Sequence, residues 1–170
     1  MRDPQRVYVF DTVALSNFAI AGRLDLLAAR YGQQLLITQE VLDEVADGVV
    51  AGYFALRTIE EAFADETFGK VRVLSSRSER NTYGVLLRIL GSGEASCIAY
   101  AESQGGIVVT DDRAARGCCL ARGIACTGTI GILKACCQDD LLPPEEADAI
   151  LTTMIEAGYY APVQRISDLL

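Results

Sequence analysis

Short apolar runs alternate with longer stretches of helical periodicity along most of the chain. Five runs have the length and composition of buried strands, at residues 7–10, 35–37, 71–74, 107–110 and 124–126. Between them, apolar residues recur at intervals of three and four. Strands that alternate with helices are typical of a parallel sheet covered by helices on both faces. The pattern therefore predicts an α/β fold.

The segments between the strands predict the helices. An apolar-periodic stretch runs from 12 to 31, and helices are expected at 39–47, 51–64, 82–90, 93–103, 113–122, 130–137 and 144–157. No internal repeat or low-complexity tract interrupts the series, and 170 residues is the length of one ordinary domain. We therefore expect a single domain over 1–170, with an acidic helical part over about 139–170.

The composition excludes several kinds of chemistry. The chain contains 15 basic and 23 acidic residues and no His, so its net charge is −8. Without His there is no Ser-His-Asp triad, no Cys-His nucleophile, no imidazole metal site and no His general base. The charge also disfavours a nucleic-acid binder with a uniformly basic surface. Residues 70–122 nevertheless hold eight bases and five acids, which is compatible with a local basic surface.

The cysteines and the N-terminal residues bear on the cellular compartment. None of the six Cys forms a Cys-x-x-Cys motif, and two adjacent pairs are poorly placed to share a zinc ion. No apolar run reaches 18 residues, and the first run ends at Asp11, too early for the core of a signal peptide. We therefore expect a cytoplasmic protein without a membrane span, whose thiols are reduced and mostly buried.

Three Asp residues stand where predicted strands end. Asp11 directly follows the run 7–10, and Asp111 and Asp112 follow the run 107–110. In open parallel sheets, ligands bind at the carboxyl ends of the strands. Capping of the next helix is the alternative role for an Asp at such a position. Because two strand ends of one small sheet carry acids, a functional role is favoured.

Two Glu residues lie on or beside apolar helix faces. Glu94 shares its face with apolar side chains three, four and seven residues later. A carboxylate there has to be paired or bound to a metal, because burying it alone is costly; attraction to the helix dipole is the alternative. Glu44 lies at the edge of another apolar stripe. Glu40, one turn earlier, is an alternative to Glu44, and a plain surface position for Glu44 also stays open.

Acids from four separated segments would repel one another strongly at one end of a sheet. Such a cluster is stable when it binds a hard divalent cation, and Mg²⁺ and Mn²⁺ prefer carboxylate and water oxygens. A metal would lower the pKa of a bound water, orient it and neutralise a phosphate under attack. The residues therefore indicate phosphodiester hydrolysis. Arg113 and Arg116, one turn apart beside Asp112, are candidate phosphate contacts or plain solvated residues.

Several segments in a fixed order also suggest a family. They are VFDTVALSNF (9–18), IAGRLDLL (20–27), ITQEVLDEV (37–45), GEASCIAYA (93–101), VTDDRAAR (109–116), GTIGIL (128–133) and the ending from 155 to 170. Together they resemble the PIN-domain nucleases, the family of the VapC-type toxins of bacterial and archaeal toxin–antitoxin pairs, and within it a PIN-like subfamily. The resemblance implies a three-layer α/β/α fold with a central parallel sheet of four to five strands.

The resemblance also assigns residues and partners. It implies catalytic acids at Asp11, Glu44, Glu94 and Asp112. It implies a Mg²⁺ or Mn²⁺ ion bound by Asp11, Glu94, Asp112 and Asp111. The family's Thr-x-Asp spacing selects Asp112, and the choice between Asp112 and Asp111 as the main ligand stays open. The resemblance therefore implies an endoribonuclease toxin that cleaves RNA. It also implies that the protein forms a homodimer and binds a cognate antitoxin.

One position departs from the family pattern. Two residues after the first Asp, the family has a Ser or Thr that helps to orient it, and this chain has Val13. Thr12 and Asn17 are candidate substitutes for that hydroxyl. The departure keeps an alternative function open, a non-catalytic PIN-like scaffold that binds RNA or a partner protein.

Overall fold

The computed structural model describes residues 5–170, which form five strands and nine α-helices. The strands are β1 (Tyr8–Phe10), β2 (Leu35–Thr38), β3 (Val71–Arg72), β4 (Ile107–Val109) and β5 (Cys126–Thr127). The helices are α1 (Thr12–Ile20), α2 (Leu24–Arg30), α3 (Gln39–Val50), α4 (Arg57–Ala64), α5 (Arg77–Leu86), α6 (Ser92–Gln104), α7 (Arg113–Ala121), α8 (Thr129–Gln138) and α9 (Pro144–Glu156).

All five strands belong to one parallel sheet with the order β3-β2-β1-β4-β5. The chain first extends the sheet from β1 through β2 to β3 and then returns to the other side of β1 with β4 and β5. The strand order therefore reverses between β1 and β4, where open α/β sheets place their ligand crevice. The arrangement confirms the predicted α/β fold class and its parallel sheet.

The central strands are buried because helices cover both faces of the sheet. Val9 and Phe10 of β1 and Val108 and Val109 of β4 have no exposed surface, and all four residues of β2 are buried. Such continuous apolar runs are typical of parallel strands. Helix α6 is buried on nearly all sides from Ala95 to Ala101. This burial fixes the first turn of α6, which carries Glu94, against the end of the sheet.

Several predicted boundaries differ from the structure. The apolar-periodic stretch 12–31 forms two helices, bent by 118° relative to each other, with Gly22 between them at φ +68°. The helix expected at 51–64 begins only at α4, after a 3₁₀ turn at Phe54–Leu56. The helix expected at 82–90 lies earlier, as α5, because Ser76 accepts a hydrogen bond from the Glu79 amide and caps it.

The structure also bears on the expectations about thiols and membrane spans. All six cysteines are free thiols, and three of them, Cys97, Cys119 and Cys136, are buried among apolar side chains. No single helix of the described chain is long and apolar enough to cross a membrane; α1 and α2 reach that length and composition only as a bent pair.

Candidate functional site

The two strand ends that carry acids lie side by side. Strands β1 and β4 pair in parallel with Phe10 opposite Val109, and the backbone N–H of Asp11 donates to the Val109 carbonyl at 2.9 Å. Asp11 and the pair Asp111–Asp112 therefore leave the sheet together at the point where the strand order reverses.

Asp11 is a carboxyl group in an unfavourable place. Its side chain is only 1% exposed, Oδ1 caps α1 by accepting from the Ala14 N–H at 2.8 Å, and Oδ2 has no hydrogen-bond partner. Burial raises the pKa of Asp11 to about 7, and the negative charges of Asp111 and Glu94 add to the rise. The nearby Thr110 hydroxyl and the hydrogen bond from the Ala14 N–H lower the pKa and offset part of this rise. This position disfavours a bare carboxylate and favours one with a cation beside it.

Glu94 faces the same group of acids from the first turn of α6. It is half-buried, and burial raises its pKa, with the charges of Glu44 and Asp112 acting in the same direction. The Cys97 and Ile98 side chains that follow it on the helix have no exposed surface. The predicted position of Glu94 on an apolar face is thus what the structure shows.

Glu44 is fixed by three donors from two other segments. One carboxyl oxygen accepts from the Thr12 hydroxyl at 2.6 Å, and the other accepts from the Ser92 hydroxyl at 2.9 Å and the Gly93 N–H at 2.7 Å. A Cβ at Gly93 would lie 2.8 Å from both carboxyl oxygens, so only glycine allows this approach. Glu44, rather than Glu40, therefore joins α3 to the start of α1 and of α6.

Asp111 and Asp112 have different surroundings. Asp112 is exposed and caps α7, accepting from the Ala115 N–H at 2.7 Å. Asp111 is half-buried and accepts from the Thr129 N–H at 2.9 Å, the Thr129 hydroxyl at 2.5 Å and the Tyr159 hydroxyl at 3.2 Å. Asp111 thus ties the start of α8 and the C-terminal segment to the site.

The two candidate substitutes for the missing hydroxyl at Val13 have other partners. Thr12 donates to Glu44, and the Asn17 amide donates to the Thr129 hydroxyl at 3.1 Å, which in turn donates to Asp111. They position the acids around Asp11 rather than Asp11 itself. The sequence could not reveal Thr129 and Tyr159 as partners, because they lie 18 and 48 residues from Asp111.

Two neighbouring clefts open in front of the acids. The first has a volume of about 470 Å³ and is lined by Val13, Ser16, Asn17, Ile20, Glu94, Asp111, Asp112, Arg113, Met154, Ala157, Gly158, Tyr159 and Tyr160. The second, of about 610 Å³, shares Asp111, Arg113, Tyr159 and Tyr160 with the first. Arg116 lines the second cleft and donates to the Thr110 carbonyl at 3.1 Å. Val13 is 50% exposed and contributes an apolar wall.

The carboxylate groups of this site fit a hard divalent cation in their chemistry and their charge. Among residues 5–170, no three Asp, Glu or Cys side chains are already arranged as a complete metal site. The buried Oδ2 of Asp11 nevertheless has no partner, and Glu94 and Asp111 concentrate negative charge around it. Carboxylate oxygens are the ligands that Mg²⁺ and Mn²⁺ prefer, with water filling the other positions.

Comparison with known proteins identifies the class of protein. The family model described as PIN domain (DUF3368) matches residues 7–170. The chain therefore belongs to the PIN-domain family, whose members are generally nucleases. No curated protein matches the chain significantly.

Two solved structures are similar to the chain. VapBC2 from Rickettsia felis, bound to a DNA fragment from their promoter, is 17% identical, with a TM-score of 0.50 over 72% of this chain and 98% of that one. PAE2754 from Pyrobaculum aerophilum is 21% identical, with a TM-score of 0.47 over 73% of this chain and 91% of that one.

Proposed function

We propose that this protein is a VapC-like PIN-domain endoribonuclease that depends on Mg²⁺ or Mn²⁺. The observation that carries the proposal is the buried Asp11 carboxyl, whose Oδ2 has no partner and which lies within the field of Glu94 and Asp111. A purely structural role does not explain this carboxyl group, because an apolar or amide side chain at the same position would make the folded protein more stable. A cation-binding role accounts for it.

The acids have distinct roles in this proposal. Asp11, Glu94 and Asp112 hold the cation, and Asp111 lies beside them, oriented by Thr129 and Tyr159. When bound, the cation would activate a water and neutralise charge on the phosphodiester. Glu44 fixes the start of α6, and with it Glu94, through its bonds to Ser92 and Gly93.

Two arginines line the clefts beside the acids. Arg113 lines both clefts, Arg116 lines the second, and both side chains are exposed. Guanidinium groups bind phosphate oxygens through paired hydrogen bonds. We assign these two residues to the RNA backbone, next to the acids that hold the cation.

An oligoribonucleotide cleavage assay tests the proposal. We expect cleavage with Mn²⁺ and none with EDTA, and Mn²⁺ at about 100 times its Kd should stabilise the folded protein by about 2.7 kcal/mol. Glu44→Ala should lower cleavage, because it removes the carboxylate that accepts from Ser92 and Gly93 at the start of α6, whereas Glu40→Ala on the same helix should not. A folded protein that binds RNA and leaves it intact in Mn²⁺ would instead be the non-catalytic scaffold.

Partners follow from the same proposal. We propose a cognate antitoxin that places a basic side chain among the acids, and a homodimer in its absence. The exposed apolar side chains Val50, Tyr53 and Phe54, close together along the chain in its N-terminal half, support a second copy as the partner. Light scattering should give a mass well above the 18.3 kDa of one chain, and a monomer would contradict the homodimer.

Antitoxin binding should weaken with added Mn²⁺, because the basic side chain and the cation would occupy the same group of acids. A complex whose affinity does not change with Mn²⁺ would contradict this binding site for the antitoxin.

A further inference from the structure

The segment after α9 holds two adjacent tyrosines in opposite environments. Gly158, at φ +111°, turns the chain out of the helix, and the Tyr159 N–H donates to the Met154 carbonyl at 3.0 Å. The Tyr159 side chain points inward and donates to Asp111. The Tyr160 side chain is 95% exposed. One residue thus anchors the segment to the acids, and the next presents an aromatic ring to solvent.

The backbone on both sides of Tyr160 is fixed. Tyr159 is held by two hydrogen bonds, and further along Ile166 is fully buried while Ser167 bonds the Asp148 carboxylate through its N–H and its hydroxyl. Ala161 and Val163 pack against the core between these points. A ring on a fixed segment loses less freedom on binding a ligand than a ring on a free tail.

Tyr160 also lies where the two clefts meet. Both clefts are lined by Asp111, Arg113 and Tyr160, so the ring borders the passage between the acids and Arg116. The surroundings combine an exposed aromatic face with guanidinium groups. Single-stranded nucleic acids are bound by this combination, with arginines on the phosphates and aromatic rings on unpaired bases.

We propose that Tyr160 is a substrate-binding residue that stacks on an unpaired base of a single-stranded RNA while Arg113 contacts the neighbouring phosphate. The inference rests on the proposed ribonuclease function and adds to it a side chain that binds a base of the substrate. A base inside a duplex is already stacked on both faces and cannot cover the ring. Stacking would place the adjoining phosphodiester in the first cleft, in front of the acids.

The absence of Trp from the chain allows a direct test of contact. Tyr160→Trp introduces a unique fluorophore, and an Asp11→Asn background prevents cleavage during the titration. A single-stranded oligoribonucleotide should quench this Trp on stacking, and the same sequence in a duplex should not. Leu120→Trp is the matched control, since Leu120 is 83% exposed and borders neither cleft. Equal quenching at both positions, or none at position 160, would overturn the proposal.

Kinetics separate stacking from a structural role. Tyr160→Ala should raise KM for a single-stranded oligoribonucleotide about 10-fold, with kcat nearly unchanged, and Tyr160→Phe should restore KM because it keeps the ring. Leu120→Ala, at an exposed position that borders neither cleft, should leave KM as it is. Wild-type KM in Tyr160→Ala would reject the proposal. If the wild type does not cleave RNA at all, the ribonuclease function fails, and the fluorescence titration alone still decides the stacking.

Discussion

Asp11→Asn should lower Mn²⁺-dependent RNA cleavage by at least about 100-fold and should also raise the melting temperature of the metal-free protein. The loss of activity is expected because the amide cannot replace a carboxylate beside the cation. The gain in stability is expected because Asn can keep the helix cap on the Ala14 N–H while removing a buried charge. Activity and stability thus change in opposite directions.

The stability gain should depend on pH in a defined direction. The folded-state pKa of Asp11 is raised to about 7 from an ordinary value of 3.8. The folded protein therefore loses stability as pH rises from about 4 to about 7, where the unfolded chain releases this proton and the folded chain keeps it. The difference between these two pKa values corresponds to a loss of at most about 4 kcal/mol in the free energy of unfolding. We expect roughly 2 kcal/mol in favour of Asp11→Asn above pH 7 and none near pH 4.

Thermal melts in EDTA at pH 4 and pH 8 measure this difference. Asp112→Asn is the control, because Asp112 also caps a helix but is exposed, so its melting temperature should stay close to wild type at both pH values. A marked fall for Asp11→Asn at pH 8 would show that Asp11 acts as a structural cap. The cation-binding assignment would then lose its main support.

Much of this fold is predictable because its strands are short, apolar and regularly spaced. The runs 7–10, 35–37 and 107–110 have the length and composition of buried strands, and the acids that follow the first and the third run are predicted at the carboxyl end of one sheet. The structure places Asp11 and the pair Asp111–Asp112 at that end. The sequence alone shows that an acid directly follows a strand. Because neighbouring parallel strands end on the same side of the sheet, two such acids lie close together in the fold.

The hydrogen bonds that orient the acids are not predictable in this way. Glu44 meets Thr12 and Gly93 across 32 and 49 residues, and Asp111 meets Tyr159 across 48. These contacts depend on how α3, α6 and the C-terminal segment pack, which periodicity does not specify. The boundary errors have a similar origin, since caps such as Ser76 decide where a helix begins within a longer polar stretch.

Gly128→Ala should destabilise the protein through the same network. Gly128 immediately precedes α8, and a Cβ there would lie 3.0 Å from the Thr110 carbonyl, 3.2 Å from a guanidinium nitrogen of Arg116, and against the Asp111 carboxylate. Because Thr129 and Tyr159 hold Asp111 in place, the carboxylate cannot simply rotate away. Overpacking of this kind costs about 2 kcal/mol, which lowers the melting temperature by roughly 4 to 8 °C.

Gly117→Ala provides the matched control, since both changes add one methyl group to a glycine near the site. Gly117 lies within α7, and a Cβ there meets nothing within 4 Å. Alanine favours a helix over glycine by about 1 kcal/mol, so this variant should melt a few degrees higher than wild type and cleave RNA normally. Gly128→Ala should melt lower and cleave more slowly, because moving Asp111 also moves Tyr159 and the start of α8. Equal melting temperatures for the two variants would mean that Asp111 is free to relocate, and that its hydrogen bonds do not hold the site together.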